Sequence, residues 1–223
     1  SFIVSVDAHR DWSLPWASGA TDIWWAVNSK KTMPDETVQQ YLEYKVRPTV
    51  SYTNNDVYAG SHSALLAVVK IGSTASAVSM GATGLALAAG EMWIGTATYS
   101  GDHETDGHAF TSRPSSLGFM YKYAPVNGEK FSVRMELLDS SYNSISTSNA
   151  EIGGTATTWT KYSLPIEYQT LTKKAAYIRL SFLCSTAGGN ASTSQNSYYE
   201  CAGSDEKACL GSILKLDNIE LVY

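Results

Sequence analysis

Hydrophobic and polar residues alternate with a period of two in several segments of this chain, and that period belongs to strands, whose successive side chains point to opposite faces. In residues 131–137, Phe131, Val133, Met135 and Leu137 share one face, while Ser132, Arg134 and Glu136 share the other. Residues 175–184 repeat the pattern, with Ala176, Ile178, Leu180, Phe182 and Cys184 inward and Tyr177, Arg179 and Ser181 outward. Further strands are expected over 64–71, 93–99, 117–123, 162–168 and 212–223. The last changes phase at Asp217-Asn218: Leu214 and Leu216 fall on one parity and Ile219, Leu221 and Tyr223 on the other, as a bulge produces. Turn formers such as Asn127-Gly128 and Gly153-Gly154 separate the runs. One helix is expected, over 32–42, where Thr32 and Asp35 supply an N-cap pair and Val38, Tyr41 and Leu42 recur at helical spacing. Many strands, at most one or two short helices and no alternation of strand and helix predict an all-β sandwich of two antiparallel sheets.

Length and charge narrow the choices. A chain of 223 residues fits one sandwich domain over 1–223, with residues 1–20 as an N-terminal lead-in. A formal net charge of -5 with 17% charged residues provides no basic field for a phosphate backbone, so no nucleic-acid partner is expected. No apolar run approaches the roughly 20 residues of a membrane-spanning helix; the segment GLALAAG (84–90) is far shorter. The chain begins Ser1-Phe2 without an initiator Met, which leaves an upstream export signal or domain open.

Three cysteines allow at most one internal disulfide. Cys184 sits on the inward parity of its strand and is expected as a buried thiol, whereas Cys201 and Cys209 flank the polar segment AGSDEKA. A bridge between Cys201 and Cys209 is the expected pairing, closing a loop for about 2–3 kcal/mol and implying an oxidising compartment. Three reduced thiols are the alternative.

The runs AAGEMWIGTATYS, GHAFTSRPSSLGFMYKYAP, WTKYSLPIEY, IRLSFLCSTAGG and GSILKLDNIELVY, with WWAVN upstream, together resemble a carbohydrate-metabolism domain family found in exported proteins of glycan-degrading gut bacteria. The resemblance covers about residues 20–223, and residues 195–209 look like an insertion relative to it. It implies a jelly-roll β-sandwich similar to carbohydrate-binding modules, an oligo- or polysaccharide partner, and a secreted or cell-surface location, with lipid anchoring through an upstream segment as one arrangement. Some members are described as glycoside hydrolases. No catalytic residue carries over.

The stretch SGDHETDGHAF (100–110) holds the most concentrated chemistry. Asp102, Glu104, Asp106 and Gly107 open like a calcium loop, but position twelve, which must supply a bidentate carboxylate, is Arg113. His103 and His108 are five apart rather than at the spacing of a zinc-binding H-E-x-x-H helix. The stretch is therefore expected to be a polar loop, with Asp102, His103 and His108 suited to sugar hydroxyls.

Six Trp and 14 Tyr offer flat surfaces for sugar rings or filling for the core. Trp24 and Trp25 are adjacent, so in an extended segment one is expected to face the core and the other a groove, with Asn28 and Tyr99 as further ligand candidates. Arg113 precedes Pro114 and is expected to be extended, its guanidinium either holding backbone carbonyls or touching ligand. Asp217 either caps the bulge or ligates a structural calcium; no other cofactor is expected. Three functions stay open: a non-catalytic carbohydrate-binding module, a glycoside hydrolase with two carboxylates, and a structural or adhesion sandwich.

Overall fold

The computed structural model describes residues 3–7, 10–14, 24–29, 48–71, 86–97, 102–187 and 209–223. Its strands, in chain order, are β1 (Ile3–Asp7), β2 (Arg10–Leu14), β3 (Trp25–Val27), β4 (Val50–Thr53), β5 (Ser63–Ile71), β6 (Ala86–Ala89), β7 (Glu91–Ala97) and β8 (His103–Asp106). They continue with β9 (His108–Ala109), β10 (Ser116–Ala124), β11 (Lys130–Leu138), β12 (Ser144–Gly153), β13 (Ala156–Pro165), β14 (Tyr177–Leu183) and β15 (Cys209–Val222), and no helix occurs among the described residues. The helix expected over 32–42 lies outside them, as do Tyr99 and Cys201.

Two antiparallel sheets form the body. One runs β13-β10-β15-β5-β4, with β6 also on β5; the other runs β12-β11-β14-β7-β3, with β8 on β7 and β9 on β14. The eight strands β5, β7 and β10 to β15 divide between the sheets as β13-β10-β15-β5 and β12-β11-β14-β7. That order is the jelly roll of two Greek keys. The first residues, expected as a lead-in, hold a two-stranded antiparallel sheet of β1 and β2.

Inward parity matches the alternation. Phe131, Val133, Met135 and Leu137 of β11 and Ile178, Leu180 and Phe182 of β14 join one core cluster with Phe119, Tyr121 and Tyr123 of β10 and Leu214 and Leu216 of β15. Aromatic edges lock the two layers together. Phe119 meets Phe182 edge-on at 5.1 Å and Tyr123 meets Phe131 at 5.0 Å, each such pair adding about 0.5–1.5 kcal/mol beyond its buried area. The Tyr123 hydroxyl donates to the Cys184 carbonyl at 3.0 Å, which satisfies a polar group carried into the core. Cys184 is fully buried, and burial pushes its thiol well above the usual range.

The expected strand over 162–168 forms earlier, as β13, and ends at Pro165, which has no N–H to continue a ladder. The phase change in β15 is a bulge: Met120 pairs with Asp217 but Gly118 with Glu220, and Asn218 takes a left-handed φ of 46°. Asp217 caps it. Its Oδ1 accepts from the Asn218 amide at 2.7 Å, and its Oδ2 accepts from the Tyr58 and Ala59 amides at 2.8 and 3.2 Å. Among the described residues no group of three His, Cys, Asp or Glu side chains is placed to hold a metal.

Candidate functional site

The outer face of the β12-β11-β14-β7-β3 sheet is polar because the side chains opposite the core parity of β11 and β14, Leu138 and Leu183 apart, are charged or hydroxylic. Register aligns them in rows. Thr147, Glu136 and Arg179 form one row, and Asn149, Arg134, Ser181 and Trp93 the next. Ser132, Leu183 and Glu91 form a third.

The stretch 102–110, expected as a loop, is instead a paired arm. β8 pairs with the end of β7, and after Gly107 β9 takes the place beside β14 that β7 has left. Two glycines permit the exchange. Gly95, at φ 148°, carries no Cβ where one would sit 2.0 Å from the Thr105 carbonyl oxygen, and Gly107, at φ 104°, donates its amide to the Ile94 carbonyl at 2.7 Å. The arm lays His103 flat on Trp93, ring centroids 3.9 Å apart and planes 8° from parallel. Trp93 is 1% exposed, so His103 is the surface that the pair presents. The Trp93 indole N–H donates to the Thr105 carbonyl at 3.3 Å, fixing the ring beneath the arm.

Around this stack the charges interlock. His103 Nε2 lies 3.2 Å from Glu91 Oε1, and its Nδ1 contacts Asp106 Oδ1. Arg179 donates to Glu136 Oε2 at 3.2 Å, and Arg134 approaches the same oxygen at 3.9 Å. Together Glu91, His103, Asp106, Arg134, Glu136 and Arg179 line a pocket of about 210 Å³ with Trp93 and Ser181. That is below the ~300–1,000 Å³ of sites for drug-sized ligands. Carboxylates accept and guanidiniums donate in fixed planes, an arrangement suited to neighbouring hydroxyls that do both.

Of the residues expected from sequence as ligand contacts, only His103 lines this pocket among those the structure describes. Asn28 is spent on the fold: its Nδ2 donates to the Ala89 carbonyl at 2.7 Å, and its Oδ1 accepts from the Thr49 hydroxyl and the Glu91 amide at 2.7 and 2.9 Å. Buried at 4% exposure, it is a cross-strand tie, not a surface group. Arg113 is likewise occupied. It donates to the carbonyls of Thr170 and Lys173, both at 2.7 Å, and stacks 4.1 Å from the Tyr168 ring centroid.

Trp24 and Trp25 do not divide between core and groove as expected. Both are half-buried at the edge strand and pack against the core cluster, and His108 stacks on Trp24 at 4.0 Å. His108 Nδ1 donates to the Ala109 carbonyl at 3.1 Å. Asp102 is exposed at the start of the arm, and Asp217 is the bulge cap already described. Sequence reasoning placed Glu136, Arg134 and Arg179 on the outward face without selecting them. The available signal was opposite charges at facing positions of two strands, which becomes visible only once their register is known.

No protein-family model matches the chain, and no curated protein matches it. Solved structures do. A proposed glycoside hydrolase from Bacteroides vulgatus aligns over all of this chain and 95% of its own, with a TM-score of 0.61 and 14% identity. A second, from Bacteroides thetaiotaomicron, aligns over all of this chain and 66% of its own, with a TM-score of 0.57 and 15% identity. At such identities the likeness is one of fold.

Proposed function

We propose that this domain binds glycan on the outer face of the β12-β11-β14-β7-β3 sheet, as a non-catalytic carbohydrate-binding module of an exported protein. The observation that carries the reading is the pocket itself, where a flat imidazole seated on Trp93 stands among three carboxylates and two guanidiniums. Stacking on a ring face gives affinity, and planar charged groups orient hydroxyls. The Bacteroides relatives of this fold are described as proposed glycoside hydrolases, which agrees with a glycan as the partner. An exported location and the bridge between Cys201 and Cys209 belong to the same proposal.

The three carboxylates in one pocket, Glu91, Asp106 and Glu136, favour a second reading, hydrolysis. A retaining pair needs carboxyl groups about 5–5.5 Å apart and an inverting pair about 6.5–9.5 Å apart with room for water. One experiment separates the readings: a glycan array with a parallel reducing-sugar release assay on each bound glycan, using wild type and Arg179→Ala. Binding without release, lost in Arg179→Ala, supports the module. Release abolished by Glu136→Gln or Asp106→Asn supports the hydrolase, and no binding across the array removes both.

A further inference from the structure

Two residues along β14 from Arg179, on the same outward parity, stands Tyr177, and Tyr142 from the turn between β11 and β12 lies flat upon it. Their ring centroids are 4.4 Å apart and their planes 12° from parallel. Tyr142 is 58% exposed, so one ring face rests on Tyr177 while the rest of the side chain is open to solvent.

Its backbone is unusual as well. With φ at 61°, Tyr142 occupies the left-handed region that bulky residues avoid, and a turn selected for stability alone would place Gly or Asn there. Asp139 holds that conformation. Its Oδ1 accepts from the Ser141 and Asn143 amides, both at 2.9 Å, while its carbonyl accepts from the Tyr142 amide at 2.9 Å. An exposed ring on a strained, braced turn contributes little to the core, and such outliers gather where a ligand is held.

From Tyr177 to Ser181 is four residues of strand, roughly 13 Å, so the tyrosine pair and the charged pocket form one track longer than a single sugar ring. Resting on the glycan-binding reading above, we infer that the ligand is a linear oligosaccharide lying along β14. One sugar stacks its C–H face on Tyr142, and a neighbouring sugar places its hydroxyls against Glu136 and Arg179.

The test is calorimetry with glucose, xylose, mannose and galactose and with their linear homo-oligosaccharides of two to six units. Wild type should bind a hexasaccharide more tightly than its monosaccharide. Tyr142→Gly, which relieves the positive φ, should keep the thermal midpoint close to wild type and lose about tenfold in hexasaccharide affinity, with monosaccharide affinity within about twofold. Tyr142→Phe should retain hexasaccharide binding, and Arg179→Ala should lose both. If Tyr142→Gly binds the hexasaccharide as wild type does while Arg179→Ala does not, the oligosaccharide track is wrong and the pocket stands. Equal wild-type affinity for monomer and hexamer overturns the track too. If wild type binds no sugar in the panel, or Arg179→Ala binds unchanged, the glycan reading of this face fails and the inference falls with it.

Discussion

Lys173 reaches across from the segment before β14 to place its Nζ 2.8 Å from Oδ2 of Asp139, at the start of the turn that carries Tyr142. This ammonium, then the Asn143 and Ser141 amides, hold the Asp139 carboxyl well below its ordinary value of 3.8. A carboxyl depressed by folding stabilises the native state fully above its unfolded value, and that stability is lost as pH falls through the folded one.

The window therefore lies below about pH 4. Thermal midpoints measured from pH 7 to pH 2 should fall at the acid end, and Asp139→Asn should start lower at pH 7 and fall less steeply. Some acid sensitivity should persist in the variant, because hydrogen bonds from Lys122 and Lys215 also lower Asp56. Parallel curves for variant and wild type would refute the role given to Asp139.

Gly95→Ala tests the arm. The added Cβ would meet the Thr105 carbonyl oxygen at 2.0 Å on a backbone at φ 148°, so the loss should be about 3 kcal/mol, read from urea denaturation. Gly128→Ala, at φ 73° with open space around it, should cost less, about 1 kcal/mol.

Asn28→Ala should lower stability by about 2–4 kcal/mol, since it strands the Glu91 amide and the Ala89 carbonyl inside the sheet edge. Glycan affinity of the folded fraction should stay unchanged. A selective loss of affinity with stability intact would return Asn28 to the binding surface.

The alternation makes the eight-stranded body largely legible, because the inward positions of β10, β11 and β14 are apolar, as are those of β15 apart from Ser212. β12 escaped it. Its inward positions include Ser146 and Ser148, buried at 1% and 8%, so small polar residues stand where the pattern looks for apolar ones. The candidate site was barely legible for a different reason: Glu136 and Arg179 are separated by 43 residues and meet only through the pairing of β11 with β14. The arm over 102–110 carries no strand alternation because residues 102–108 have no apolar side chain on either parity. It pairs at the outer face of a sheet, where such residues remain wet.

Cys184 should resist thiol reagents in the native protein and react on unfolding, because burial both shields the sulfur and disfavours its thiolate. Labelling followed by non-reducing peptide mapping reads this residue by residue, and the same map tests the proposed bridge between Cys201 and Cys209. A peptide linking Cys184 to either would overturn both statements.

The position of β15 between β10 and β5 has a kinetic consequence. The strand that comes last in chain order among the eight is interior to its sheet, so β10 and β5 have no shared neighbour until residues 209–222 have left the ribosome. Folding must wait for long-range closure and should be slow, on the order of milliseconds to seconds for a topology so dominated by distant pairings. In the interval two unpaired edges are exposed, which makes the nascent or C-terminally shortened chain the species most prone to associate with copies of itself.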